Sequence, residues 1–137
     1  MKNYEIFATT ADVGIRFRGR TFAGLYENAV AGLNALLFGE TSEAQAVGRG
    51  RRFCFRGDGA ENVLVNLLAE VLSLAYQENK RAVAMEVFSA DGNSLDAGFR
   101  LATIATAPAV DIKAVTYHML RVVEKDGLKK ASVLFDV

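Results

Sequence analysis

The chain has a single cysteine, a single histidine and no net charge, and each scarcity removes a class of chemistry. One thiol cannot form an intramolecular disulfide and offers no thiolate cluster to a metal. Cys54 sits in Phe53-Cys54-Phe55, where it reads as a small buried hydrophobe of an alternating strand. His118, in Thr116-Tyr117-His118-Met119-Leu120, has no partner in sequence that would make it a base, and it reads as a packed, hydrogen-bonded strand histidine. Lys and Arg number 16, as do Asp and Glu. No global field therefore draws in nucleic acid, and any RNA contact is expected to be weak or indirect. There is no P-loop, no glycine-rich dinucleotide fingerprint, no Cys or His metal cluster and no nucleophile elbow, which removes support from most enzyme classes. Apolar runs are too short to span a bilayer. The opening MKNYEIFATTADVG carries no export signal, so a cytoplasmic protein with no membrane partner is expected.

What remains has a globular balance, with 51% hydrophobic and 23% charged residues in 137. That length suits a single domain over 1–137. Segments 3–8 and 13–20 read as strands, the second alternating Val13, Ile15 and Phe17 with Gly14, Arg16 and Arg18. Phe22, Leu25, Tyr26, Ala29, Val30, Leu33, Leu36 and Leu37 recur at helical spacing, and Gly39 follows where a helix stops. A polar link over 40–50 leads to a strand over 51–57. Asp58-Gly59-Ala60-Glu61 resembles a capping box, and Val63, Leu64, Leu67, Leu68, Val71, Leu72 and Ala75 give the second helix its buried stripe. The rest reads as four strands, over 82–90, 95–107, 113–125 and 128–137, with turns at Asp91-Gly92-Asn93 and Asp126-Gly127. Helices early and hairpins late give an α+β fold, a two-layer sandwich in which a mainly antiparallel β-sheet carries two α-helices on one face.

Two carboxylates stand in apolar sequence: Asp12 in Thr9-Thr10-Ala11-Asp12-Val13-Gly14-Ile15-Arg16, and Asp136, followed by Val137. Each costs desolvation energy unless it is hydrogen-bonded, paired or metal-bound. Were the last strand to bring Asp136 beside Asp12, their oxygens, with the carbonyl and terminal carboxylate of Val137, would suit Ca²⁺ or Mg²⁺ and not Zn²⁺. The plainer alternative makes Asp12 a turn residue and Asp136 a solvated charge at a strand end. With a type I′ turn at Asp126-Gly127, Lys125 opposes Leu128, Asp136 opposes Tyr117 and Val137 opposes Thr116. Lys113 then lies about 13 Å along the strand from Tyr117, and an ion pair with Asp136 would need a bulge. Arg16, Arg18, Arg20, Arg49, Arg51, Arg52 and Arg56 are expected to line one solvent face, where phosphate could bind.

TADVGIR with the helix that follows, VNLLAEVLSL in the second helix, and above all KAVTYHMLRV with the terminal VLFDV resemble the archease family over essentially the whole chain. The resemblance implies a protein that is not itself an enzyme. It implies an accessory factor for the GTP-dependent, metal-using RNA ligase of tRNA splicing, promoting guanylylation and multiple turnover, or a chaperone for a tRNA methyltransferase. It further implies that Asp12, Asp136 and the carbonyl of Val137 ligate a divalent cation, Ca²⁺, Mg²⁺ or Mn²⁺, and that Lys113 is the lysine essential to partner function. Ala8 and Thr9 stand where the family typically has an acidic residue and a histidine, and Leu67 where it has an aromatic. A binding module for some other RNA-processing enzyme, and a hydrolase built on Asp12 and Asp136, are the competing readings; the hydrolase lacks a positioned base and nucleophile.

Overall fold

A computed structural model describes residues 3–40 and 50–137. Its elements run β1 (Tyr4–Ala8), β2 (Val13–Gly19), α1 (Phe22–Phe38), β3 (Arg51–Arg56), α2 (Ala60–Glu78), β4 (Lys80–Ala90), β5 (Ser94–Thr103), β6 (Ala114–Val115), β7 (Val123–Lys125) and β8 (Leu128–Asp136). The expected α+β sandwich is present. Its antiparallel strands divide into two sheets, a five-stranded one in the order β1-β2-β8-β6 with β7 also on β8, and a three-stranded one in the order β3-β5-β4. Much of the polar link after α1, and Arg49 with it, lies outside the described residues.

Helix α1 starts where Thr21 accepts a hydrogen bond from the Gly24 amide at 3.0 Å, satisfying one of the helix's orphan donors. It ends at Gly39, whose positive φ of 86° suits a residue without Cβ. The apolar stripe anticipated from its spacing is the one buried, and Leu25, Tyr26, Ala29, Leu33 and Leu37 are fully enclosed. α1 packs against β1, β2, β8 and β4, whereas α2 packs against β3, β4, β5 and β6. The helices thus tie the two sheets into one core, in which Phe99, Phe135, Ile15 and Leu64 are also fully enclosed.

Two local expectations fail at α2 and β3. The capping box does not form: the cap residue is Gly59, with no side-chain cap, its amide donates to Asn93 Oδ1 at 3.0 Å, and Glu61 Oε2 instead accepts from the Val122 amide at 2.8 Å. A tertiary acceptor has replaced the local one. Cys54 is exposed rather than buried, because the strand period turns Phe55 into the core and so sends its neighbour to the other face.

Tyr26 is the one fully enclosed phenol among the described residues, and its hydroxyl donates to the Asp91 carbonyl at 2.7 Å. Burial, reinforced by the Asp91 and Glu61 charges, pushes its pKa to about 12 from 10.0. A raised acid pKa stabilises the fold fully below the unfolded value and loses that contribution as pH climbs through the folded one. Stability should therefore fall by about 2–3 kcal/mol between pH 10 and 12. Urea midpoints across that range check it, and Tyr26→Phe should flatten the decline.

Candidate functional site

The β1–β2 turn is built by Thr9. Its amide donates to the Asp12 carbonyl at 2.8 Å, and its hydroxyl accepts from the amides of Asp12 at 3.0 Å and Ala11 at 3.4 Å. This side-chain-to-backbone turn fixes the Asp12 backbone. It leaves the half-buried carboxylate with no protein donor among the described residues. Thr9 thus holds the loop that presents Asp12. The turn reading of Asp12 holds for its main chain and not for its side chain.

β2 and β8 pair antiparallel, the last partners at this end being Val13 and Phe135. One further step sets Asp12 across from Asp136. Inward-facing Ile15, Phe17, Val133 and Phe135 are buried, so alternation turns Asp136 to the outer side, while Asp12 lies just before β2 in the turn. On the other flank of β8, Ala114 is the partner of Asp136, and the Lys113 amide donates to the Asp136 carbonyl at 2.7 Å. Asp12, Asp136, Val137 and Lys113 thus all lie at the same end of the five-stranded sheet, with the Lys113 amide on the Asp136 carbonyl.

This register corrects the expected one beyond the hairpin tip. Lys125 does oppose Leu128, and Asp126 and Gly127 have the positive φ values, 55° and 75°, that a type I′ turn needs. But Asp136 opposes Ala114 rather than Tyr117, because the stretch read as one strand over 113–125 breaks between β6 and β7. Met119 adopts φ 58°, and the Leu120 amide donates to the Tyr117 carbonyl at 3.0 Å, closing a turn that takes up the slack. The same turn leaves His118 exposed, without a side-chain hydrogen bond among the described residues, contrary to a packed strand histidine.

Side chains of α2 hold the break and the segment leading into β6. Asn62 Nδ2 donates to the Tyr117 hydroxyl at 2.6 Å, Glu61 takes the Val122 amide, and the Tyr76 hydroxyl accepts from the Ile112 amide at 3.0 Å while donating to the Val110 carbonyl at 2.9 Å. None of these three carries a site signature in the sequence; only the Asp58–Glu61 pattern points near them. The β6–β8 register brings Lys113 to Asp136 through the backbone alone. Its ammonium makes no ion pair among the described residues and is exposed.

Among the described residues, no group of three or more His, Cys, Asp or Glu side chains gathers to hold a metal. The carboxylates of Asp12 and Asp136 and the Val137 carbonyl could supply oxygen donors, which suit a hard cation and not zinc.

The expected single arginine face is not formed. Arg16 and Arg18 lie on β2, whereas Arg51, Arg52 and Arg56 lie on β3 in the other sheet. Arg52 is held by Asp96 in a two-pronged contact at 2.8 and 2.7 Å, and Arg51 by Glu78 at 2.8 Å. Among the described residues no helix is long and apolar enough to cross a membrane.

The model of the archease protein family matches residues 4–137. The chain belongs to the archease family. Protein archease of Methanothermobacter thermautotrophicus is 27% identical, with 100% of both chains covered, and protein archease of Thermoplasma volcanium is 30% identical over 98% of each. The solution structure of protein 1598 of Methanobacterium thermoautotrophicum superposes with a TM-score of 0.78 at 26% identity over 100% of both chains. The crystal structure of a Thermotoga maritima archease, described as a possible chaperone, matches in fold, with a TM-score of 0.65 at 22% identity over 97% of this chain and 96% of that one. Within an archease, then, Thr9 serves as the structural keystone of the Asp12 loop.

Proposed function

We propose that this archease is a non-catalytic accessory factor that promotes guanylylation and turnover of a GTP-dependent RNA ligase through a divalent-cation site at the sheet end. The reading is supported by the Val13–Phe135 pair, beyond which Asp12 and Asp136 are the next residues of their segments, neither carboxylate engaged by a protein donor among the described residues. Asp12, Asp136 and the Val137 carbonyl would hold Ca²⁺, Mg²⁺ or Mn²⁺. Such an ion supplies positive charge to phosphate oxygens. Lys113 adds an exposed ammonium beside it, positioned by its own amide on the Asp136 carbonyl. Tyr117 at 53% exposure and Met119 at 80% offer apolar surface on the adjoining turn to a partner protein. A hydrolase is disfavoured: His118 stands exposed, with no second group among the described residues to orient it as a base.

The second reading, a chaperone or binding module for another RNA-processing enzyme such as a tRNA methyltransferase, draws on the description of the Thermotoga maritima protein as a possible chaperone. Mixing the protein with the ligase, GTP and divalent cation separates the two. A faster initial rate of ligase guanylylation, lost on adding a chelator specific for the accessory ion, supports the first reading; an unchanged rate, with recovery of active methyltransferase after thermal challenge, supports the second.

A further inference from the structure

The outer side of the five-stranded sheet carries a second feature, away from the carboxylates. A groove of about 410 Å³ opens there, lined by Arg16 and Arg18 of β2, Lys130 and Ser132 of β8, and Met119 and Arg121 of the turn between β6 and β7. Arg18 and Lys130 are direct partners in the β2–β8 register. Two like charges placed opposite each other across a ladder destabilise it. Neither has a carboxylate partner among the described residues, nor does Arg121; the groove's one acid, Glu5, is occupied by Arg16 at 3.2 Å. The fold therefore concentrates uncompensated positive charge at one spot, with a penalty that an anion would relieve.

We infer that this groove is a site for a phosphate monoester of nucleotide size. The volume falls within the range of about 300–1,000 Å³ usual for small-molecule sites. A monoester carries roughly −1.5 to −2 charges at neutral pH, enough to neutralise the Arg18–Lys130 pair, and the arginine forks can take its oxygens two at a time. Met119, at 80% exposure, offers a flexible apolar surface to the organic group. The ester is either a free nucleotide or the phosphorylated end of an RNA strand. The inference does not depend on the cation site.

Lys130→Glu tests it, because it converts the like-charge pair into an opposite-charge one. In phosphate-free buffer the variant should melt above wild type, whereas a merely structural Lys130 predicts no gain. Binding is read by calorimetry with inorganic phosphate, adenosine 5′-monophosphate, and a six-nucleotide RNA carrying either a 5′-phosphate or a 5′-hydroxyl. Wild type should bind phosphate and at least one of the two esters saturably, with affinity reduced at least about tenfold in Lys130→Glu, a loss of about 1.4 kcal/mol. Tighter binding of the mononucleotide identifies a free nucleotide, and tighter binding of the 5′-phosphorylated strand identifies an RNA end. Saturable binding of the 5′-hydroxyl strand as tight as that of the 5′-phosphorylated strand, equal affinity in wild type and variant, or no saturable binding of any probe would overturn the inference.

Discussion

Asp136→Asn is expected to abolish stimulation of the ligase while leaving the fold intact. The substitution keeps size and shape, and the groups of Asp136 used by the sheet are main-chain: its carbonyl receives the Lys113 amide and its backbone pairs with Ala114. The exposed carboxylate has no protein donor among the described residues to lose, so stability in the absence of divalent ions should stay within the small range typical of surface changes, about 0.5 kcal/mol. What disappears is half of the carboxylate charge available to a cation. A full charge at contact distance is worth a few kcal/mol even in a well-solvated site, and affinity should fall on the order of tenfold to a hundredfold. Asp12→Asn should do the same. Titration of Ca²⁺ and Mg²⁺ by calorimetry, beside the guanylylation assay, checks both; a variant that binds cation normally or stimulates fully removes the two carboxylates from the site.

One residue back, Phe135→Ala should have the opposite signature. Its ring is fully enclosed, at the last β2–β8 pair, and truncating a buried phenylalanine costs about 3–5 kcal/mol through lost burial and the cavity left behind. That is a large part of a domain's total stability. The urea midpoint should drop accordingly, and ligase stimulation should fall with the fraction of folded protein. Adding cation should restore part of it by mass action, which it cannot do for Asp136→Asn. The pair of variants thus separates holding the site from holding the strand that carries it.

The helices and most strands were legible because period and punctuation agreed: the α1 stripe, the Gly39 stop and the Asp126-Gly127 turn are local features, and each forms as the residues dictate. Errors arose where a tertiary partner displaced a local one. Glu61 has both the spacing of a capping box and a nearby amide at Val122, and the second wins. The 113–125 stretch has strand-like composition throughout, but Asn62 and Glu61, both from α2, hold its middle out of the ladder. Nothing in the order of residues reveals that α2 lies there. Asp12 and Asp136 stood out as residue types, since an aspartate in apolar sequence demands a reason, but the β2–β8 pairing that puts them at the same sheet end followed from no short-range signal. The division of the strands into two sheets was equally hidden, because antiparallel hairpins read alike whichever sheet they join.

The Val13–Phe135 pairing has a consequence for how the protein comes into being. Two carboxylates drawn from opposite ends of the sequence repel each other, and closing so long a loop costs entropy that only the assembled core offsets. Were a cation held at that sheet end as proposed, a chain in which β2 and β8 had not yet paired would lack the site, and occupancy would report on completed folding.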